Sequence, residues 1–129
     1  MIEQLGLYLI SVILGIMLFF SFVVAPVTFS SLNDESARKF IRKIFPYYYI
    51  INLLIGLIVL STFIYLKKYS VDFFLILLIC VMFAISNFIL MPLINKYRDN
   101  NQDKKFQYSH FTSVIINFIQ IIFLVFLLI

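Results

Sequence analysis

Residues 73–94 read FFLILLICVMFAISNFILMPLI, without one Asp, Glu, Lys or Arg. A helix rises about 1.5 Å per residue and the hydrocarbon core of a bilayer is about 30 Å thick, so about 20 such residues cross it. Three more uncharged runs of that kind occur, Leu5–Ala25, Ile44–Leu66 and Phe106–Ile129. Together they take up most of a 129-residue chain and leave no room for a separate soluble domain. The composition agrees: 64% of residues are hydrophobic and 12% charged, against roughly 45–50% and about 25% in soluble domains. The expected fold is all-α, an integral membrane four-helix bundle. It is one transmembrane domain over residues 1–129, with spans at about 5–26, 46–66, 72–95 and 107–129.

Several function classes are excluded early. The net charge of +4 comes from short basic clusters beside apolar runs, so the basic partner is anionic lipid headgroups and not nucleic acid. The single cysteine, Cys80, lies inside a run, where it reads as a small packing residue; neither an intrachain disulfide nor a Cys-based metal motif is available. No Gly-rich phosphate loop and no nucleophile–base pair appears. The N-terminal run lacks a basic n-region and exceeds the apolar core of a signal peptide, so it is expected to stay attached as the first span.

The ten basic residues lie in three loops: Arg38, Lys39, Arg42 and Lys43 in loop one, Lys67 and Lys68 in loop two, and Lys96, Arg98, Lys104 and Lys105 in loop three. With four spans, loops one and three share a side. The positive-inside rule then puts both in the cytoplasm and both termini outside, in the inner (cytoplasmic) cell membrane. All eight tyrosines fall near span ends, where a ring is buried and its hydroxyl stays wet.

Loop one carries its own pattern. Ala37, Phe40, Ile41, Ile44 and Phe45 follow helical spacing, and Arg38, Lys39, Arg42 and Lys43 fill the opposite face, where they contact the lipid surface. Residues 34–44 are therefore expected to form a short amphipathic interfacial helix, capped by Ser31 or Asn33 and separate from span two. Pro46 would then open span two, where its missing N–H is harmless. Loop three mixes charges with amides and is expected to be a mobile connection; loop two is a tight turn.

Polar residues inside the spans are the candidate site. On a helix turning about 100° per residue, His110, Ser113, Asn117 and Gln120 share an arc of roughly 80°, descending about 15 Å from the loop-three interface. Asn87 and Arg98 on span three make the facing stripe, while Asn52, Ser11 and Ser21 are further candidates. The stripe has two readings, interhelical hydrogen bonding or a polar cleft between spans three and four.

Four motifs carry a resemblance over nearly the whole chain: FFSFVVAPVTFSSL (19–32), IFPYYY (44–49), NFILMPLINKYRD (87–99) and FQYSHFTSVIINFIQ (106–120). In their order and positions they resemble the bacterial integral-membrane family called domain of unknown function 4149, which is similar to eukaryotic transmembrane-protein-205-like proteins. The resemblance implies a four-helix membrane protein with no established activity. Its recurrent positions map to Pro26, Phe29, Phe45, Pro46, Asn87, Pro92, Arg98, His110, Ser113 and Asn117. The eukaryotic relatives are linked with drug and metal resistance, so a resistance or export factor is among the functions the resemblance implies.

A proton-coupled carrier would keep a carboxylate or lysine inside a span, and none is there. The favoured expectation is non-enzymatic, with no cofactor and no metal: an auxiliary subunit, a resistance or export factor, or a lipid or small-ligand binder. Its protein partner would be a second copy of the chain or another membrane subunit. The alternative is a haem- or metal-associated redox protein using His110, with a methionine such as Met91, or a ligand shared between subunits, as the second haem ligand. Met17, Met82 and Met91 are the softer ligands for copper.

Overall fold

The computed structural model describes residues 1–129. Four helical spans, Ile2–Ser31, Asp34–Tyr65, Val71–Asp99 and Asp103–Leu128, are each long and apolar enough to cross a membrane, the architecture of a multi-pass membrane protein. Each span packs against its neighbours in sequence, and span one closes the ring against span four. The axis of the bundle is filled by Ile13, Met17, Val59, Ile76, Ile79, Phe83 and Leu124, all fully buried. Phenylalanines such as Phe19, Phe22, Phe88 and Phe126 point outward with more than half their surface open. Apolar residues inside and outside together describe a bundle solvated by lipid.

Spans one and three are each interrupted in the same way. Helix α1 (Ile2–Phe19) passes through a π turn at Phe20–Val24 into α2 (Ala25–Ser31). After α3 (Asp34–Tyr65), which makes span two unbroken, α4 (Val71–Ile85) passes through a π turn at Ser86–Leu90 into α5 (Met91–Asp99). Pro26 and Pro92 follow these turns directly. A proline inside a helix removes one donor and its ring collides with the carbonyl four residues back. Here the amide just ahead of each proline, Ala25 or Met91, donates five residues back, to Phe20 or Ser86. That widened turn makes space for the ring. Span four is α6 (Asp103–Leu128).

Residues 34–44 are helical, and the Asn33 side chain caps them by accepting the Ser36 N–H at 2.8 Å. They do not form a separate interfacial helix, however: they are the first turns of α3, which runs straight on through Pro46. A helix of 32 residues is about 48 Å long, well beyond a hydrocarbon core of about 30 Å. The charged turns therefore extend out of the apolar layer along the axis of span two. Ala37 and Ile41 are buried against the bundle, which holds the extension upright, while Phe40 is left exposed. Loop three is also more ordered than its composition implies. Only residues 100–102 separate α5 from α6, because Asn101 takes the left-handed conformation (φ 56°) and Gln102 N–H reaches back to the Tyr97 carbonyl.

Candidate ligand-binding cavity

At the end of the bundle nearest loops one and three, the four spans enclose a cavity of about 460 Å³. The two π turns help make it. Phe20 and Ser21 stand in the first, and Met91 follows the second; all three line the cavity. One wall is an aromatic cluster in which Phe20 stacks on Tyr48 (centroids 4.3 Å apart) and Phe45 on Tyr49 (5.6 Å). Tyr48 and Tyr49 are almost fully buried, at 5% and 4% exposure. Interface preference describes only Tyr47 in this run: three successive helical residues point about 100° apart, so they cannot all face the same medium.

Asn117 is the polar node of the cavity. Its Oδ1 accepts the Tyr48 hydroxyl at 2.7 Å, and its Nδ2 donates to Ser21 Oγ at 3.0 Å. One amide thus ties span four to spans two and one, and its partner is not Asn87. Asn87 is half-buried and outside the cavity. Gln120 is also outside; fully buried, it donates to the Ile79 carbonyl across to α4 at 3.1 Å. Asn52 donates to the Tyr48 carbonyl of its own helix, and Ser11 to that of Leu7. Of the six stripe residues, His110, Ser113, Asn117 and Arg98 therefore come together. They do so in a space bounded by all four spans and not by spans three and four alone.

The charged rim is one-sided. Arg98 lies with its guanidinium carbon 4.4 Å from the Phe106 ring centroid, and its buried Nε has no hydrogen-bond partner. His110 stacks nearly parallel on the same phenylalanine, 5.8 Å away. Arg38 and Arg42 of loop one also line the cavity, whereas Lys39 and Lys43 are exposed outside it. Arg42 is neutralised by Asp99, which it holds through two nitrogens at 2.6 and 3.3 Å, and it also donates to the Asn95 carbonyl. No Asp or Glu lines the cavity. Ser113 donates to the backbone carbonyl of His110, so it is not poised as a nucleophile against the imidazole. Nowhere do three or more His, Cys, Asp or Glu side chains gather as a metal would require.

Residues 8–103 match the family model described as Domain of unknown function (DUF4149). The chain belongs to this family. An uncharacterised protein of Aquifex aeolicus (strain VF5) is similar at 33% identity over 117 residues, which cover 89% of this chain and 85% of the relative. No solved structure matches. The motif positions Pro26, Phe29 and Phe45 line the cavity, and so do Arg98, His110, Ser113 and Asn117, while Pro46 and Pro92 face outward. His110, Ser113 and Asn117 lie beyond the DUF4149 match, on span four. Ser21, a further candidate in the sequence, proves to line the cavity, while Phe20, Tyr48 and Tyr49 line it without having been singled out. The signals were present, in the serine five residues before Pro26 and in the tyrosine triplet.

Proposed function

We propose that this DUF4149 protein is a non-enzymatic membrane protein that binds a small, largely apolar ligand in the cavity at its loop-one and loop-three end. One observation carries this reading: a cavity of about 460 Å³ walled by stacked aromatics, with a few convergent polar groups at one side. Ligand sites are typically concave, mostly apolar, and about 300–1,000 Å³ in volume, with sparse polar groups that fix orientation. The hydrogen bonds of Asn117 fit the same picture, because they hold the wall residues in place without filling the space. Native mass spectrometry of the protein purified in mild detergent tests it. A co-purified small molecule, displaced when Ser21→Trp fills the cavity, is the expected result; a bare mass in both proteins would reject the reading.

The same end is proposed to face the cytoplasm, with both termini outside the inner (cytoplasmic) membrane. The support is the concentration of basic residues in loops one and three. Lys39 and Lys43, exposed on α3, are then placed to meet anionic headgroups of the inner leaflet. Alkaline phosphatase fused after Ile129 should be active, and fused at Asn100 inactive. The reverse pattern would invert the bundle. A second reading is a haem-associated redox protein, favoured by one observation: His110 and Met91 line the same cavity. A Soret band in the purified protein, lost with both His110→Ala and Met91→Leu, would replace the first reading by this one.

A further inference from the structure

Resting on that reading, we propose that the cavity's ligand is an anionic amphiphile, a phosphate or carboxylate head on an apolar chain, taken up sideways from the bilayer. The argument for the head begins with Arg98 and Arg38. Both line a cavity without a carboxylate and neither makes a salt bridge, and Asp99, next to Arg98 in sequence, is committed to Arg42. Arg98 also keeps a buried Nε without a partner. A buried donor left unpaired is costly, and a guanidinium beside apolar walls is most readily satisfied by a planar or tetrahedral oxyanion. Phe106, lying against both Arg98 and His110, holds these two groups at the same level.

The argument for the chain is the shape of the opening. Span one packs on span four through α1, but beyond the π turn α2 packs on α3 while α6 packs on α5. Spans one and four thus part near loop one. Phe29 on α2 and Val114 on α6, one on each side of that gap, line the cavity and remain 54% and 46% exposed. Apolar side chains that border both the cavity and the gap between α2 and α6 mark a side opening there, for which a lipid chain is the natural occupant. The head would sit at Arg98 and Arg38, with its chain lying along Phe45, Tyr49 and out past Val114.

The full-length protein in phosphatidylcholine nanodiscs doped with dioleoyl phosphatidate, read by native mass spectrometry, tests this. Phosphatidate should be retained at least tenfold over phosphatidylcholine of the same chains. Arg98→Gln should lower that retention about tenfold, the equivalent of one charge-assisted hydrogen bond. Arg98→Lys, which keeps the charge but loses the guanidinium fork and its stacking on Phe106, should keep only part of it, and Lys104→Gln, which removes a loop-three charge outside the cavity, should leave it unchanged; circular dichroism checks that each variant is helical. Val114→Trp should block retention by closing the side opening, and millimolar inorganic phosphate should not displace the bound lipid. Equal loss in Lys104→Gln would overturn the site in favour of diffuse surface charge. Displacement by inorganic phosphate would overturn the chain and the side opening. If phosphatidylcholine is held equally well and Val114→Trp still expels it, the anionic head is wrong while the binding reading stands. If neither lipid is held and neither responds to Val114→Trp, both fall.

Discussion

Toward loop two the helices close on one another across glycines: a Cβ at Gly6 would stand 3.2 Å from Thr62 Oγ1, and one at Gly56 2.7 Å from Cys80 Sγ. Toward loops one and three, spans one and three carry Pro26 and Pro92, each preceded by a π turn, and the spans part around the cavity. The charges follow the same division. At the loop-two end a recess is lined by Glu3, Asp72 and Lys68, and Glu3 pairs with Lys68. At the other end Arg98 and Arg38 keep no such partner. Glycine lets helix backbones approach closely, and such packing is a main source of helix association in lipid, where no hydrophobic effect draws the spans together. Proline and its compensating turn do the opposite, and the space beside them is the one that Arg98 and Arg38 line. One half is built to hold the bundle together and the other to leave room inside it.

The largest expected effect is on the closed half. Gly56→Ala places a methyl group against Cys80 Sγ, and overpacking of that kind costs about 1–3 kcal/mol. Thermal unfolding in detergent should show it, and a double-mutant cycle with Cys80→Ala should return most of the loss as coupling between the two sites. A neutral Gly56→Ala would mean that the halves are not packed differently.

Next in size is Asn117→Leu, which removes two interhelical hydrogen bonds and should cost about 1 kcal/mol by the same measurement. Gln120→Leu, only one turn further along α6, should be near neutral. It loses one bond and also removes Oε1, a buried atom without a partner. If the two effects came out reversed, the polar order of α6 would belong to the closed half.

These two residues also mark where the sequence was legible. The four uncharged runs led directly to four helices, because lipid tolerates no charge along a span and helix is the one open-chain structure that satisfies its own backbone there. Helix periodicity likewise grouped His110, Ser113 and Asn117 on one face. It could not say which helix that face meets. That depends on how the spans are arranged around the ring and on how far the π turns rotate them, both settled by tertiary packing. Asn117 therefore found Tyr48 and Ser21 in place of Asn87, and Gln120 went to α4. Pro46 misled for a related reason: a proline that can begin a helix can also sit inside one long enough to absorb it.

A smaller effect is expected at the loops. Lys67 closes span two in the left-handed conformation, φ 54°, a strain that glycine escapes. Lys67→Gly should raise stability by about 0.5–1 kcal/mol in the same unfolding assay. Asn101, at φ 56° in loop three, already tolerates that conformation, so Asn101→Gly should gain less. An equal gain at both would show that the two loops carry the same strain.

The smallest effect on stability, and the sharpest contrast between the halves, belongs to Asp99→Asn. The Arg42–Asp99 pair is more than a third exposed on both sides, and exposed pairs are worth roughly 0–1 kcal/mol, less as salt screens them. Stability should therefore change by a few tenths of a kcal/mol at most. Binding should move the other way. Freeing Arg42 adds a third unpaired cation to a cavity that already holds Arg98 and Arg38, so phosphatidate retention should rise severalfold. Glu3→Gln at the loop-two end also releases a cation, Lys68, but there it should leave retention where it was. A fall in retention with Asp99→Asn would mean that the pair shapes the cavity rather than masks its charge. A rise with Glu3→Gln would mean that the two ends do not differ in the way their charges are used.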